Sequence, residues 1–215
     1  MKNIHKYDFF IFDCDGVILD SNKLKSKAFA DALIGEDLYF ISKFIEYHKQ
    51  HGGVSRYEKF RHYFEKIKNQ LYAENEIECA INNFSNIVKE GLLKCDYVPG
   101  VLEFIKMLQN ENKLLFVVSG SDENELIHVF KKRGLLRYFV QIYGSPNDKL
   151  KNTRKVISGL KNKKRGLFFG DSRSDFDAAN QFGLDFLFVK EFSEWLDGEQ
   201  NVQKENIIYN FRDLK

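Results

Sequence analysis

Residues 9–16 have the sequence Phe-Phe-Ile-Phe-Asp-Cys-Asp-Gly, an apolar run that ends on two acids. A run of this length and composition is typical of a buried parallel strand. Open α/β sheets bind ligands at the carboxyl ends of their strands, and this strand would deliver the carboxylates of Asp13 and Asp15 there. Two like charges so close together repel each other. The pair therefore predicts a bound cation and a metal-assisted reaction.

The composition fits one globular domain of medium size, or a core domain with an insertion. Of 215 residues, 43% are hydrophobic and 30% are charged, and the formal net charge is +2. This balance gives no ground for a nucleic-acid or membrane partner. Three scattered cysteines, no signal-peptide pattern and no spanning apolar stretch lead us to expect a cytoplasmic protein. The oligomeric state stays open.

The chain changes character twice along its length. Residues 1–20 are strand-like, residues 21–93 are helical in pattern, and the remainder alternates strand and helix. Alternation of this kind predicts an α/β fold with a doubly wound parallel sheet. We therefore predict a core made of residues 1–20 and 94–215, with residues 21–93 inserted as an α-helical cap over the carboxyl edge.

Two apolar stripes at helical spacing predict that the cap is a helical bundle with its own core. The first stripe comprises Tyr57, Phe60, Phe64, Ile67 and Leu71, and the second comprises Ile77, Ala80, Ile81, Phe84, Ile87 and Val88.

Four polar segments each follow a predicted strand and should meet at one edge of the sheet. They are residues 13–16, Ser119-Gly120 after strand 114–118, Lys149 after strand 139–143, and residues 170–175 after strand 166–169. Further strands are predicted at 186–189 and, at the sheet edge, 206–209. A hydroxyl, a lysine and several carboxylates describe a magnesium-assisted phosphoryl-transfer site.

In this order, the four motifs resemble those of the haloacid dehalogenase superfamily, in its phosphatase branch with a helical cap after the first strand. The resemblance covers the whole chain, and Val98-Pro99-Gly100-Val101 is similar to the return from cap to core. It implies a Mg²⁺-dependent hydrolase of small phosphomonoesters, such as a sugar phosphate or a phosphoglycolate-like metabolite. The reaction would pass through an aspartyl-phosphate.

The resemblance also implies roles for the acids. Asp13 would be the nucleophile, and Asp15 would protonate the leaving alcohol and then deprotonate the attacking water. The Asp13 carboxylate, the Asp15 backbone carbonyl and Asp171 would hold Mg²⁺. Asp175 would support the waters of the metal or position Lys149.

Three residues would bind the phosphoryl oxygens by the same resemblance: Ser119, Gly120 and Lys149. Two alternatives remain. Ser119 would otherwise cap the following helix. Lys151 competes with Lys149, because the family more often has a proline just after its lysine, whereas Pro146 precedes it here.

Two neighbours of these motifs are predicted to have no catalytic part. Cys14 should lie in the core, because the adjacent carboxylates raise the pKa of a thiol and the strand pleat turns it away from them. Asp177 competes with Asp175 but falls outside the motif pattern, so we expect it to face solvent or cap a helix.

One segment of the cap has functional character. Residues 53–56, Gly-Val-Ser-Arg, resemble the substrate-contacting cap loop of β-phosphoglucomutase-like members, so Arg56 is predicted to contact the substrate. This likeness makes a sugar phosphomutase the nearest alternative function. Those mutases carry Glu-Asp-Ser-x-x-Gly in the fourth motif, whereas this chain has Gly170 and Asp175 there. Lys25 stands where they have a catalytic hinge histidine, so we expect Asp15 to act as a base without hindrance.

A non-catalytic binding or regulatory protein on the same fold is the alternative from another class. Loss of Asp13 or Asp15 would be its signature, and both acids are present.

Overall fold

A computed structural model describes residues 3–160 and 165–214. Its strands are β1 (Phe9–Phe12), β2 (Leu114–Asp122), β3 (Gln141–Ser145), β4 (Gly166–Gly170), β5 (Asp185–Val189) and β6 (Ile207–Ile208). They form one sheet in the order β3-β2-β1-β4-β5-β6, and every neighbouring pair is parallel. The predicted α/β class with a doubly wound parallel sheet is confirmed, as is the edge strand near residue 207.

Helices cover both faces of the sheet and build the cap. They are α1 (Asn22–Asp31), α2 (Leu38–Gln50), α3 (Arg56–His62), α4 (Glu74–Lys94), α5 (Val101–Asn110), α6 (Glu123–Lys132), α7 (Lys149–Gly159), α8 (Arg173–Gln181) and α9 (Gly198–Asn201). A π-helical turn, Tyr63–Lys68, continues α3. Within the described ranges, no helix combines the length and apolar character needed to cross a membrane.

The apolar run of β1 lies at the centre of the sheet, so both of its faces are buried. Phe10 and Phe12 face the side that α5 and α6 cover, and Phe9 and Ile11 face the side that α7 and α8 cover. Phe12 stacks on Phe169 of β4 with ring centroids 4.9 Å apart. Burial of these rings on two sides fixes the strand that carries Asp13 at its end.

The helical insertion runs from the start of α1 to the end of α4, one residue beyond the predicted boundary at residue 93. Two backbone hydrogen bonds join the chain as it leaves and re-enters the core. Asp20 N donates to Asp96 O at 2.9 Å, and Val98 N donates to Ile18 O at 3.0 Å. The cap therefore stands on a paired two-segment connection beside the end of β1. Positions 1–2, 161–164 and 215 of the predicted core lie outside the described residues.

The first predicted apolar stripe of the cap is only partly correct. Phe60 and Phe64 are buried, but Tyr57 is 37% exposed and Leu71 is fully exposed. The helical segment ends at Lys68, and Asn69 adopts a left-handed backbone with φ 46°, so Leu71 is not on the same helix. In the second stripe, which α4 carries, Ile87 is 40% exposed. The buried members of that stripe are Ile77, Ala80, Phe84 and Val88.

Strand β2 is longer than predicted, and this places the second motif inside it. It extends to Asp122, and its register with β3 shifts between Val118 and Asp122. Ser119 and Gly120 therefore lie in an irregular stretch of a strand rather than in a loop. Strand β3 begins at Gln141, two residues later than predicted, because residues 136–138 form a 3₁₀ turn.

Candidate active site

The carboxyl ends of β1, β2 and β4 meet beneath the cap, where Asp13, Asp15, Ser119 and Asp171 line one cavity. The parallel order β2-β1-β4 explains the meeting, because these strands are neighbours and end at the same edge. Asp13, Ser119 and Asp171 are each no more than 4% exposed. Side chains that are far apart in the sequence thus share one shielded site.

Glycines at two positions permit this close approach. Gly16 has φ +75°, and a Cβ there would lie 2.3 Å from Asp171 Oδ2. A Cβ at Gly120 would lie 2.1 Å from the carbonyl oxygen of Gly53. The cap loop around Gly53 therefore rests directly on the segment predicted to bind phosphate.

Asp13 and two further acids form a buried cluster. Asp13, Asp171 and Asp175 place carboxylate oxygens within 4.8 Å of one another, and all three are buried. Burial raises the pKa of Asp13 to about 7, although Lys149 opposes the shift. Burial, with Asp13 and Asp175 nearby, raises the pKa of Asp171 well above its usual range. Three carboxylates beside the ammonium of Lys149 leave a net charge of −2 when all are ionised.

This donor set fits a divalent cation. Asp13 Oδ1 is buried and has no hydrogen-bond partner in the part of the chain that the structure describes. Hard carboxylate oxygens are the ligands that Mg²⁺ prefers, and a charge of +2 would neutralise the cluster. Asp171 is oriented by Asn22, whose Nδ2 donates to Asp171 Oδ2 at 2.6 Å. The fold thus brings together two of the predicted ligands, the Asp13 and Asp171 carboxylates, while a contact from the Asp15 carbonyl stays a prediction.

Of the two candidate lysines, the geometry favours Lys149. Its Nζ lies 3.1 Å from Asp13 Oδ2 and 2.5 Å from Asp175 Oδ1, and the residue is 4% exposed. Burial alone would lower the pKa of Lys149, but Asp13 and Asp175 outweigh burial and raise it, so the side chain stays charged. Lys151 is exposed, and its Nζ lies 3.7 Å from Asp148.

Asp175 uses both of its oxygens within the protein. Oδ1 accepts from Lys149, and Oδ2 accepts from Ser172 N at 3.2 Å and Ser172 Oγ at 2.5 Å at the start of α8. The second of the two predicted roles for Asp175, positioning of Lys149, matches these contacts. Asp177 pairs with Arg173 at 2.8 Å on the exposed side of α8, as expected for a residue outside the site. Cys14 is fully buried, and burial followed by Asp15 raises its pKa, as predicted.

Asp15 is held by three partners that the sequence did not predict. Its Oδ1 accepts from Ser21 Oγ at 2.6 Å, and its Oδ2 accepts from Lys25 Nζ at 2.6 Å and from Ser121 Oγ at 2.7 Å. Burial would raise the pKa of Asp15, but the Lys25 ammonium and these hydrogen bonds lower it to about 2. Asp15 is therefore ionised at neutral pH, although Lys25 engages the carboxylate that was expected to act unhindered.

Arg56 lies in the cavity wall, but its donors are directed away from the acids. One terminal nitrogen donates to Glu125 Oε1 at 2.5 Å, and the other donates to Glu125 Oε2 at 3.0 Å and Ser85 Oγ at 2.8 Å. The guanidinium also lies over the ring of Phe84, 4.6 Å from its centroid. The bidentate pair joins α3 of the cap to α6 of the core. A substrate contact by Arg56 stays a prediction, and the observed contacts are structural.

The sequence did not single out Asn22 or Ser121, and it placed Lys25 at the hinge position without indicating its contact with Asp15. Asn22 and Lys25 are three residues apart at the start of α1, so they share the helix face that meets the end of β1. A helix start shortly after the first motif was a usable signal for both residues. Ser121 directly precedes Asp122, which caps α6 by accepting from Glu125 N at 2.9 Å, so Ser121 is free to contact Asp15.

The family model for haloacid dehalogenase-like hydrolases matches residues 10–189, so this chain belongs to that family. Many solved structures share its fold, and three of them are described below. A predicted phosphoglycolate phosphatase from Haemophilus somnus is 19% identical, with a TM-score of 0.76 and coverage of 99% of this chain and 98% of that one. A predicted phosphatase from Clostridium acetobutylicum is 18% identical, with a TM-score of 0.72 and coverage of 97% and 96%.

The third is a β-phosphoglucomutase from Clostridium difficile, which is 20% identical with a TM-score of 0.66 and covers 97% of this chain and 93% of its own. At these identities the likenesses show the fold alone. A search of curated proteins finds no match for this chain.

Proposed function

We propose that this protein is a Mg²⁺-dependent phosphatase of small phosphomonoesters that works through an aspartyl-phosphate on Asp13. The observation that carries the proposal is the state of Asp13 itself. One carboxylate oxygen is buried without a partner among the described residues, while the other lies 3.1 Å from Lys149. With the metal ion on the unpartnered oxygen, the oxygen beside Lys149 is the one that attacks phosphorus, next to a cation that binds the phosphoryl group.

In the first half of the reaction, an Asp13 oxygen attacks phosphorus and the bond from phosphorus to the ester oxygen breaks. The leaving oxygen takes up a proton and departs as an alcohol. Lys149 and Ser119 bind the phosphoryl oxygens as charge moves onto them. In the second half, water attacks the aspartyl-phosphate, Asp15 accepts the proton of that water, and phosphate leaves with Asp13 regenerated.

The ionised state of Asp15 suits the second half directly, because a base must be unprotonated to accept the proton of water. Its role in the first half requires a protonated carboxyl. A bound phosphoryl group adds negative charge beside Asp15, and like charge raises the pKa of a carboxyl. Substrate binding therefore favours the form of Asp15 that donates to the leaving oxygen.

Asp13, Asp171 and the carbonyl of Asp15 would hold the magnesium ion. When bound, Mg²⁺ neutralises charge between the carboxylates and the phosphoryl group. Without that charge, the ionised acids would repel the approaching phosphate. Burial and the neighbouring acids already raise the pKa values of Asp13 and Asp171.

Within the family, a sugar phosphomutase of the β-phosphoglucomutase type remains the alternative. Lys25 and Asp175 argue for the hydrolase. At these two positions the mutases have a histidine and a glycine. Here Lys25 contacts Asp15, and Asp175 contacts Lys149, so both parts of the site differ from the mutase pattern. A hydrolase needs a base ready for water, and ionised Asp15 provides one.

The test is a panel of phosphorylated metabolites incubated with purified protein and Mg²⁺, with inorganic phosphate and isomerised products both measured. We expect phosphate release without a bisphosphate activator, loss of activity with EDTA, and recovery with Mg²⁺. Isomerised sugar phosphate that forms faster than free phosphate would assign the protein as a mutase. Binding of metabolites without either product would support the non-catalytic alternative.

A further inference from the structure

A buried lysine of the cap lines the cavity. Lys59 of α3 is 2% exposed, and its Nζ donates to His48 Nδ1 at 2.7 Å and is 3.4 Å from the carbonyl oxygen of His48. Its ammonium also lies over the ring of Phe29, 5.3 Å from the centroid. Within residues 3–160 and 165–214, no carboxylate oxygen comes within 4.0 Å of this nitrogen.

The hydrogen bonds around His48 fix the direction in which Lys59 donates. Ser26 Oγ donates to Glu194 Oε2 at 2.7 Å, so it must accept from His48 Nε2, which lies 2.9 Å away. We therefore assign the proton of the neutral ring to Nε2, and Nδ1 accepts from Lys59. Burial, followed by the charge of Lys59, lowers the pKa of His48 well below its usual range, so the ring adds no charge.

The other cations of this cavity already have counter-ions. Lys25 pairs with Asp15 at 2.6 Å, and Arg56 pairs with Glu125 at 2.5 Å. Lys49 lies 4.0 Å from Glu194, and Arg173 pairs with Asp177 at 2.8 Å. Lys149, beside the cavity, pairs with Asp13 and Asp175. Lys59 is the exception among the described cations of the site, and burial accordingly lowers its pKa to about 7. An unpaired buried ammonium costs free energy unless an anion joins it.

We propose that Lys59, held in place by His48, forms a subsite for a carboxylate of the substrate, so that the substrate is a short acid esterified with phosphate on its hydroxyl group. This inference rests on the proposed phosphatase function. It assigns the phosphate to the Asp13 side of the cavity and the carboxylate to the cap side, since both walls belong to one cavity.

Charge favours a carboxylate over a second phosphate. The cap wall offers one uncompensated positive charge among its described residues, which a monoanion neutralises. A dianion would leave excess negative charge near Glu194, whose carboxylate lies 3.8 Å from His48 Nε2. A neutral hydroxyl group would leave the ammonium unpaired. The carboxylate also accepts a charge-assisted hydrogen bond from Lys59.

Binding of unreactive phosphonates tests the subsite without turnover. Calorimetry with Mg²⁺ would compare 3-phosphonopropionate with propylphosphonate, which has a methyl group in place of the carboxylate. We expect the acid to bind to the wild type at least about tenfold more tightly. In Lys59→Met this preference should fall to within about twofold, whereas Lys43→Met, the same change at an exposed site of the cap, should keep it.

Two outcomes would overturn the proposal. The first is a Lys59→Met variant that keeps the full preference for the acid. The second is tighter wild-type binding of propane-1,3-bisphosphonate than of 3-phosphonopropionate, which would assign the subsite to a dianion. Lys59→Arg, which keeps the charge, should retain most of the preference, and circular dichroism of each variant would show that the cap is folded.

Activity separates this proposal from the proposed function. Hydrolysis of phosphoglycolate would be compared with that of 2-hydroxyethyl phosphate, in which an uncharged hydroxymethyl group replaces the carboxylate. If neither ester is hydrolysed, the result argues against the phosphatase assignment. Calorimetry would still show whether the carboxylate subsite exists. If both are hydrolysed at equal kcat/KM and Lys59→Met changes both equally, the phosphatase stands and the carboxylate subsite is wrong.

Discussion

Lys149 is the residue on which the acid cluster depends, because its ammonium contacts both Asp13 and Asp175. Lys149→Met should lower kcat/KM at least about a hundredfold, because in the proposed mechanism Lys149 is the fixed cation that binds the phosphoryl oxygens. Lys151→Met is the matched control, because that side chain is exposed and lies two residues away. It should stay within about twofold of the wild type. A loss in the Lys151 variant as large as that in the Lys149 variant would contradict the assignment.

The burial of Lys59 predicts how the free energy of unfolding depends on pH. The pKa of Lys59 is about 7 in the folded chain, against 10.5 for an ordinary lysine. Between pH 7 and pH 10.5, Lys59 is therefore mostly neutral in the folded chain and mostly protonated in the unfolded chain. The cost of burying the charge is therefore full below pH 7 and disappears as the pH rises toward 10.5. Lys59→Met should be more stable than the wild type, on the order of 2 kcal/mol at about pH 6.

This gain should shrink when urea unfolding is repeated at about pH 9.5. A gain that is equal at both pH values would show that Lys59 does not carry a buried, uncompensated charge. The charged and titratable groups near Lys59 are His48, Lys25, Glu194, Lys149 and Asp15.

The sequence indicated the site residues that follow strands, but not the helix residues that contact them. Asp13, Ser119 and Asp171 each follow an apolar run, and parallel neighbours must end at one edge. Asn22, Lys25 and Lys59 come from helices, whose rotation about the core depends on packing that a motif does not encode. Arg56 shows the same limit: its sequence context predicted a ligand contact, and only the fold reveals Glu125 opposite it.

Among the elements, α3 and α6 are joined by the bidentate pair of Arg56 and Glu125, whose side chains are 3% and 10% exposed. Removal of one partner leaves a buried charge alone, so Arg56→Met should lower the free energy of unfolding by about 3 kcal/mol. The double variant Arg56→Met/Glu125→Leu should regain most of this loss, because no charge remains unpaired. Urea unfolding of the two single variants and the double variant would measure the coupling.

Kinetics would separate this structural role from the predicted substrate contact. If Arg56 acts through the cap–core connection, Arg56→Met should change kcat/KM for a small generic ester and for the preferred substrate by similar factors. A rise in KM confined to the preferred substrate, with no loss of stability, would restore Arg56 as a substrate-binding residue.

Element ends were harder to predict than element types. Apolar runs gave every strand of the sheet, but β2 continues to Asp122 through polar residues that hydrophobicity cannot assign to a strand. Leu71 was assigned to a helix stripe although the chain leaves the helix at Asn69, where a left-handed residue ends it. Both errors arise because backbone conformation at an element end depends on local polar contacts rather than on periodicity.

For the molecule as a whole, the cap and the core enclose a cluster with a net charge of −2 when its acids are ionised. Mg²⁺ should therefore stabilise the folded protein as well as activate it. At a Mg²⁺ concentration about a hundredfold above Kd, binding to the folded state alone adds about 2.7 kcal/mol. Thermal unfolding should shift upward with Mg²⁺ in the wild type and much less in Asp171→Asn, which lacks one carboxylate ligand. An equal shift in both would place the ion elsewhere.

The central claim is that Asp13 becomes covalently phosphorylated during turnover. The most direct measurement is acid quenching of the wild type during hydrolysis of a phosphomonoester, followed by peptide mass spectrometry. We expect phosphate on Asp13, and we expect Asp13→Asn to stay folded while losing at least about a thousandfold in turnover, equivalent to about 4 kcal/mol of barrier. Substantial turnover by the Asn variant, or phosphate released with Asp13 never modified, would contradict it.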